Sequence, residues 1–143
     1  MRRFHLFEWE DQPWLPRVFR DFITDHLRYT QTEPMRRPVN LAIAERLKEV
    51  IARTGSPRVV DLCAGAGGPL ICISRIWAET SSPIDIVLTD LYPNVDAFRR
   101  IEAESHGVIC PRYESTSALD VPPELSGLRT LFTALHQIGR AHV

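Results

Sequence analysis

One segment of the chain, residues 58–73, joins a short apolar run, a cluster of glycines and the start of a helical pattern. Val59 and Val60 lie in the apolar run, and three glycines follow within residues 65–68. Glycine adopts positive φ readily and has no Cβ to obstruct a close backbone approach. Pro69 suits the first turn of a helix, where its missing N–H costs nothing. The order predicts a buried strand, a tight turn and a helix, which is the repeating unit of an α/β fold.

A second apolar run, residues 84–90, ends in an acid as the first one does. Asp61 closes the first run and Asp90 closes the second. In an open parallel sheet, ligands bind outside the carboxyl ends of the strands. An acid at that position can accept hydrogen bonds from both hydroxyls of a ribose. The two acids and the glycine turn between them therefore predict a site for a nucleotide-like ligand.

These residues resemble the first motif of class I S-adenosylmethionine-dependent methyltransferases, D/E-x-G-x-G-x-G. Asp61, Gly65 and Gly67 match the motif, and Cys63 replaces its first glycine. The resemblance extends over residues 58–136. It implies a Rossmann-like parallel sheet, methyl transfer as the activity and S-adenosyl-L-methionine as the cofactor.

The resemblance also implies roles for individual residues. Asp61 and the glycine turn hold the methionine part of the cofactor, Asp90 holds the ribose, and Tyr92 is a candidate for stacking on adenine. His136, at the end of the last predicted strand, is the candidate general base, since the unperturbed pKa of histidine lies near neutrality. The predicted cofactor-binding residues are Asp61, Cys63, Ala64, Gly65, Ala66, Gly67, Asp90, Leu91 and Tyr92, together with Ser117 and Asp120, which compete for the position near the exocyclic amine of adenine.

Other interpretations of the same residues stay open. The glycine turn could join strand to helix without a ligand, Asp90 could cap the following turn, and many methyl transfers need no base. A nicotinamide-dependent oxidoreductase would share the ribose acid, although G-x-G-x-x-G requires a third glycine where Leu70 stands. A non-catalytic binding module with the same fold is the second alternative. The methyl acceptor is left open.

The remaining pattern after the glycine turn alternates between helix and strand. Helices are predicted over residues 69–78 and 94–105, and strands over 108–110 and 129–136. Pro111 interrupts the third strand and marks it as an edge strand. The predicted fold class is α/β, a Rossmann-like parallel sheet with flanking helices. The sheet is incomplete, with about four of seven strands, and an N-terminal helical segment precedes it.

Residues 1–54 form a predicted helical cover or lid, in which the aromatic segment 4–14 precedes two amphipathic helices. We expect both apolar stripes to pack against the sheet. Asn40 is the predicted cap of the second helix and Gly55 its stop. The stripe residues are Val18, Phe19, Phe22, Ile23 and Leu27 in the first helix and Ile43, Ala44, Leu47, Val50 and Ile51 in the second.

The last residues, 137–143, follow no strand or helix pattern. Residues 138–143 read IGRAHV, which is one reading frame of a common short-read sequencing adapter. We therefore expect native sequence to end at about His136 and residues 55–136 to be a partial cofactor-binding domain. A short disordered tail is the alternative. On this prediction the chain is a marginally stable fragment with weak or no catalysis.

Composition and charge limit the kinds of binding partner that we expect for the chain. The chain has 17 Lys and Arg against 18 Asp and Glu, a formal charge of -1, and no basic patch typical of nucleic-acid binding. No apolar run approaches the roughly 20 residues that span a membrane. The three cysteines show neither metal-ligand nor disulfide spacing, which predicts no metal site and a reducing, cytoplasmic compartment.

Overall fold

The computed structural model describes residues 12, 14–32, 36–56, 58–80, 84–132 and 134. Four helices and four strands lie within these ranges. The candidate base His136 and the predicted tail 137–143 lie outside the described residues, as does nearly all of the aromatic segment 4–14. In chain order the elements are α1 (Arg17–Thr32), α2 (Arg37–Thr54), β1 (Arg58–Leu62), α3 (Leu70–Glu79), β2 (Asp85–Leu88), α4 (Val95–Glu104), β3 (Ile109–Pro111) and β4 (Leu128–Leu131).

The four strands form one parallel sheet in the order β3-β2-β1-β4. Asp61 of β1 lies in register with Leu88 of β2 on one side and with Thr130 of β4 on the other. The predicted α/β class, a parallel sheet with flanking helices, is confirmed. The predicted position of β3 at an edge is confirmed as well. β1 and β2 lie in the middle of the sheet, so the loops after them leave from its centre.

The two central strands are buried on both faces of the sheet. Successive side chains of a strand point to opposite faces. Val59 lies in the larger apolar cluster, which takes in α3, α4 and part of α2, while Val60 lies in a smaller cluster on the other face. Trp77 of α3 is fully buried and donates a hydrogen bond from Nε1 to the Ala44 carbonyl of α2 at 3.2 Å. α2 and α3 are therefore joined to each other and to the sheet.

The helix ends follow local sequence signals with one exception. Asn94 caps α4, since its side chain accepts a hydrogen bond from the Ala97 N–H at 3.1 Å. Gly55 ends α2 with a left-handed φ of 63°. The prediction that Asn40 caps α2 is wrong, because α2 begins at Arg37 and Asn40 is buried inside it. Pro38 explains the earlier start, since a proline lacks the N–H that a first helical turn does not use.

The two N-terminal helices bury different amounts of their apolar stripes. In α2, Ala44 is buried, and Leu47 and Ile51 pack against the larger apolar cluster, as predicted. The prediction for α1 is wrong, because Val18 and Phe22 point away from the sheet into solvent. Across the described ranges, no helix combines the length and the apolar character needed to cross a bilayer.

Candidate functional site

The turn after β1 is built from residues in the left-handed region of backbone space. Cys63 has φ 56°, Gly65 has φ 55°, Gly67 has φ 94° and Gly68 has φ 44°. The cysteine stands where the motif has its first glycine and adopts the conformation that a glycine would take there. For a residue with a Cβ, this conformation costs on the order of 1–2 kcal/mol. The turn thus keeps the glycine-type backbone although one glycine is replaced.

At Gly67, an added Cβ would crowd two buried isoleucine side chains. A Cβ at this position would stand 2.7 Å from Ile101 Cδ1 and 2.9 Å from Ile71 Cδ1. Gly65 has more room, since its added Cβ would meet Thr24 Cγ2 of α1 at 3.4 Å. The two glycines therefore do different things: Gly67 lets the turn pack on α3 and α4, and Gly65 lies next to α1.

Asp61 is a buried acid at the end of β1. Its carboxylate accepts a hydrogen bond from the Thr130 hydroxyl at 2.7 Å. The pKa of Asp61 is raised to about 7. Burial is the largest cause of this rise, the Thr130 hydrogen bond offsets part of it, and the nearby Asp90 carboxylate adds to it. Burial dominates because desolvation disfavours the charged form. Asp61 therefore titrates near neutrality.

Asp90 connects three loops. Its carboxylate accepts hydrogen bonds from the Gly65 N–H at 2.7 Å and from the Tyr92 N–H at 2.8 Å, one on each oxygen. Its main-chain oxygen accepts from the Thr116 N–H at 2.8 Å. A carboxylate has about four lone-pair sites, so each oxygen can accept one further hydrogen bond. Asp90 caps the following turn and also joins it to the glycine turn.

The loop after β2 is covered by α1. The Arg20 guanidinium lies over the Tyr92 ring, 4.1 Å from its centroid, which is a cation–π contact. Leu91 is exposed, and its carbonyl accepts a hydrogen bond from the Ser115 hydroxyl at 2.7 Å. Tyr92, the residue predicted to stack on adenine, therefore has an arginine over one face of its ring.

A cavity of about 60 Å³ lies between α1 and the glycine turn. The residues that line it include Asp61, Arg28 and Phe132, which follows β4. The described residues around it are Thr24, Leu27, Arg28, Asp61, Cys63, Ala64, Gly65, Ala66, Gly68, Pro69 and Phe132. An acidic and a basic residue thus both line one small space beside the turn.

The predicted site residues fall into three groups. Asp61, Cys63, Ala64, Gly65 and Ala66 line the cavity. Gly67, Asp90, Leu91 and Tyr92 belong to the turn itself or to the neighbouring loop, which Asp90 ties to Gly65. Ser117 and Asp120 lie farther along the loop after β3, where the Ser117 hydroxyl accepts from the Leu119 N–H at 3.2 Å.

Sequence reasoning missed the contribution of α1. Arg20, Thr24 and Arg28 are spaced four apart, which places them on one helix face, and all three contact the site region. This polar spacing was a usable signal. Thr130 was missed as well, because its pairing with Asp61 depends on the β1–β4 register, which no local pattern encodes.

Two surveys bear on the chemistry of the site. Within the described ranges, no group of three or more His, Cys, Asp or Glu side chains is placed to hold a metal ion. Comparisons with models of protein families, with curated proteins and with solved structures found no match. Function is therefore inferred from the fold and the site geometry.

Proposed function

We propose that this chain carries the cofactor-binding part of an S-adenosylmethionine-dependent methyltransferase. One observation supports this most strongly: Asp90, at the end of β2, accepts a hydrogen bond from Gly65 in the turn after β1. An acid at each of two adjoining strand ends, linked through a glycine turn, is an arrangement suited to a ligand with an amino-acid end and a ribose.

The side chains around the cavity fit the amino-acid end of this cofactor. Asp61 and Arg28 both line the cavity. A carboxylate can pair with an ammonium group, and a guanidinium can pair with a carboxylate. A positive ammonium beside Asp61 favours its charged form and so offsets the burial that raises its pKa. Asp61, Arg28 and the turn backbone would hold the methionine part.

Asp90 fits the ribose. Both carboxylate oxygens keep acceptor capacity beyond the hydrogen bonds from Gly65 and Tyr92. Two ribose hydroxyls could each donate to one oxygen. Because the two amides fix the carboxylate orientation in advance, little ordering is needed when a ligand binds.

The size of the cavity implies that α1 moves. Small-molecule sites usually exceed roughly 300 Å³, whereas the cavity beneath α1 measures about 60 Å³. The contacts that hold α1 include a cation–π pair at Tyr92, an ion pair between Asp25 and Arg100 at 3.3 Å and a hydrogen bond from Asn94 to Thr24. Partly exposed polar contacts of this kind contribute little individually, so displacement of α1 is inexpensive.

When bound, S-adenosylmethionine supplies an electrophilic methyl group on sulfur. The protein then has to align donor and acceptor and exclude water. In this chain the turn and Asp90 would orient the donor, and α1 would close over it. His136 remains the predicted general base.

The test is calorimetric titration of the chain with S-adenosylhomocysteine, with its 2′-deoxy counterpart and with NAD. We expect S-adenosylhomocysteine to bind and the deoxy compound to bind about tenfold or more weakly, because a hydrogen bond to a charged acceptor contributes about 1.5–3 kcal/mol. Asp90→Ala should remove most of the difference between the two ligands. Asp85→Ala, which changes an exposed acid at the opposite end of the same strand, should leave it intact.

Comparing two ligands within each variant separates a ribose contact from a general loosening of the turn. Equal affinity of the wild-type chain for both ligands would contradict the role of Asp90. Saturable binding of NAD with no binding of S-adenosylhomocysteine would favour the oxidoreductase alternative.

A further inference from the structure

α1 presents its apolar face to solvent. Val18 is 76% exposed, Phe19 61% and Phe22 72%. Positions three and four apart share a helix face, and Tyr29, two turns beyond Phe22, is 65% exposed on the same side. Single exposed apolar side chains are ordinary, but Val18, Phe19 and Phe22 form a contiguous apolar patch, and patches of this kind mark interaction sites. Asp25 and His26 separate this patch from Tyr29. We call Val18, Phe19, Phe22 and Tyr29 the α1 apolar face.

Three polar residues of α1 contact other parts of the protein. Asn94 donates a hydrogen bond to the Thr24 hydroxyl at 3.1 Å, and Arg100 pairs with Asp25 at 3.3 Å. Arg20 lies over Tyr92. With these contacts in place, the apolar stripe faces solvent.

We propose that the α1 apolar face is the docking surface for a second copy of this chain. The two α1 helices pack antiparallel in an isologous dimer, with the twofold axis near Phe22 at the middle of the stripe. The same surface serves both partners, so no other element has to be complementary. The inference is independent of the cofactor.

The available area matches the lower range of specific interfaces. A fully covered aromatic side chain buries about 150–250 Å². At the observed exposures, Phe19, Phe22 and Tyr29, with Val18 and the adjacent Trp14, offer about 500 Å² per copy, or roughly 1,000 Å² per pair. Interfaces of that size are at the threshold of specific association, so the dimer should be weak and its population should depend on protein concentration.

Charge also favours self-association over a lipid surface. The formal net charge of the chain is -1, so two copies repel each other little. Interfacial helices carry several lysines and arginines beside the apolar face. In α1, by contrast, Arg20 contacts Tyr92, Arg28 lines the cavity and Arg17 pairs with Asp21 and Asp96.

Sedimentation velocity over about 1–200 µM protein tests the proposal. We expect the wild-type chain to pass from monomer to dimer with rising concentration, and Phe22→Glu to remain monomeric throughout. The matched control is Leu119→Glu, the same kind of substitution at an apolar residue that is 50% exposed in the loop after β3; it should associate like the wild type. Circular dichroism spectra of the three proteins establish equal folding.

A mixture supplies the second measurement. If Phe22 lies near the axis, Phe22→Glu mixed with Phe22→Lys should form dimers although each variant alone does not. Failure of the mixture to associate would overturn the antiparallel pairing.

Other outcomes would overturn the proposal itself. A wild-type chain that stays monomeric at all concentrations would overturn it. So would a loss of association in Leu119→Glu equal to the loss in Phe22→Glu. A monomeric chain that binds vesicles of anionic phospholipid through Phe22 would identify a lipid-binding face. A monomeric chain that dimerises only after removal of residues 1–11 would identify its own N-terminus as the occupant.

Discussion

Asp61 is an acid in the protein core, and its surroundings set the pH at which it ionises. The only side-chain hydrogen bond to its carboxylate among the described residues comes from Thr130, and the neighbouring charge, Asp90, has the same sign. Burial outweighs the hydrogen bond, so the pKa rises to about 7. A cationic ligand group beside Asp61 would favour the ionised carboxylate and lower its pKa. Without such a group, ionisation of the buried carboxyl at neutral pH destabilises the folded protein.

The first prediction is that stability falls as pH rises toward 7. Below about pH 4 the Asp61 carboxyl is neutral in both folded and unfolded chains. Between pH 4 and 7 the unfolded chain releases the proton and the folded chain keeps it, so the free energy of unfolding decreases, by on the order of 4 kcal/mol at most. Above pH 7 both states are charged and the loss is complete.

Urea denaturation at pH 5 and pH 8 measures this effect. In Asp61→Asn, which cannot ionise and can still accept from Thr130, the decrease should largely disappear. Asp120→Asn, an exposed acid, should keep the wild-type slope. The same slope in Asp61→Asn and in the wild type would show that Asp61 does not carry the pH dependence.

The second prediction concerns the tight turn. Gly67→Ala introduces a Cβ at 2.7 Å from Ile101 Cδ1 and also strains a φ of 94°. Gly107→Ala strains a similar φ of 85° with no atom within 4 Å. We expect about 1–2 kcal/mol of destabilisation for Gly107→Ala and roughly 2–4 kcal/mol for Gly67→Ala, measured by urea denaturation. Equal losses would mean that the turn has room for a methyl group.

At the scale of elements, α1 and α2 differ in what holds them. Among the described residues, α2 buries Ala44 and packs Leu47 and Ile51 on the main apolar cluster. α1 relies on Thr24, Asp25 and Arg20, all partly or largely accessible. Apolar burial contributes more to stability than partly exposed polar contacts do. α1 is thus the helix best suited to opening over the cavity.

The third prediction is that α1 opens without the rest of the fold. Amide hydrogen exchange should be faster throughout α1 than in α2, α3 or α4. Thr24→Val removes the oxygen that accepts from Asn94 and should accelerate exchange in α1 alone. Thr54→Val, whose hydroxyl bonds to Val50 within α2, should leave α1 unchanged. Protection of α1 equal to that of α2 would exclude independent opening.

At the scale of the whole molecule, local patterns predicted the sheet and left the position of α1 undetermined. The runs ending at Asp61 and Asp90 indicated buried strands correctly, because apolar runs bounded by turn residues are a local signal. The direction in which α1 faces is not local: its polar residues meet Tyr92, Asn94 and Arg100, about 70 residues farther along the chain.

The same division holds for the candidate site. The glycine turn was recognisable from the sequence pattern. The φ of 56° at Cys63 was not, because a residue with a Cβ seldom adopts the left-handed conformation. Thr130 and Arg28 were not recognisable, because the first depends on strand register and the second on helix docking. Side chains contributed by distant elements complete the site, and a sequence pattern of a few residues does not contain them.

We propose that the glycine turn and Asp90 together bind S-adenosylmethionine. A nitrogen–proton correlation spectrum of the chain titrated with S-adenosylhomocysteine tests this binding. The amides of Gly65 and Tyr92, which both donate to Asp90, should shift in a saturable way, while that of Ile86, at the opposite end of β2, stays in place. If neither Gly65 nor Tyr92 shifts at millimolar ligand, the claim is wrong.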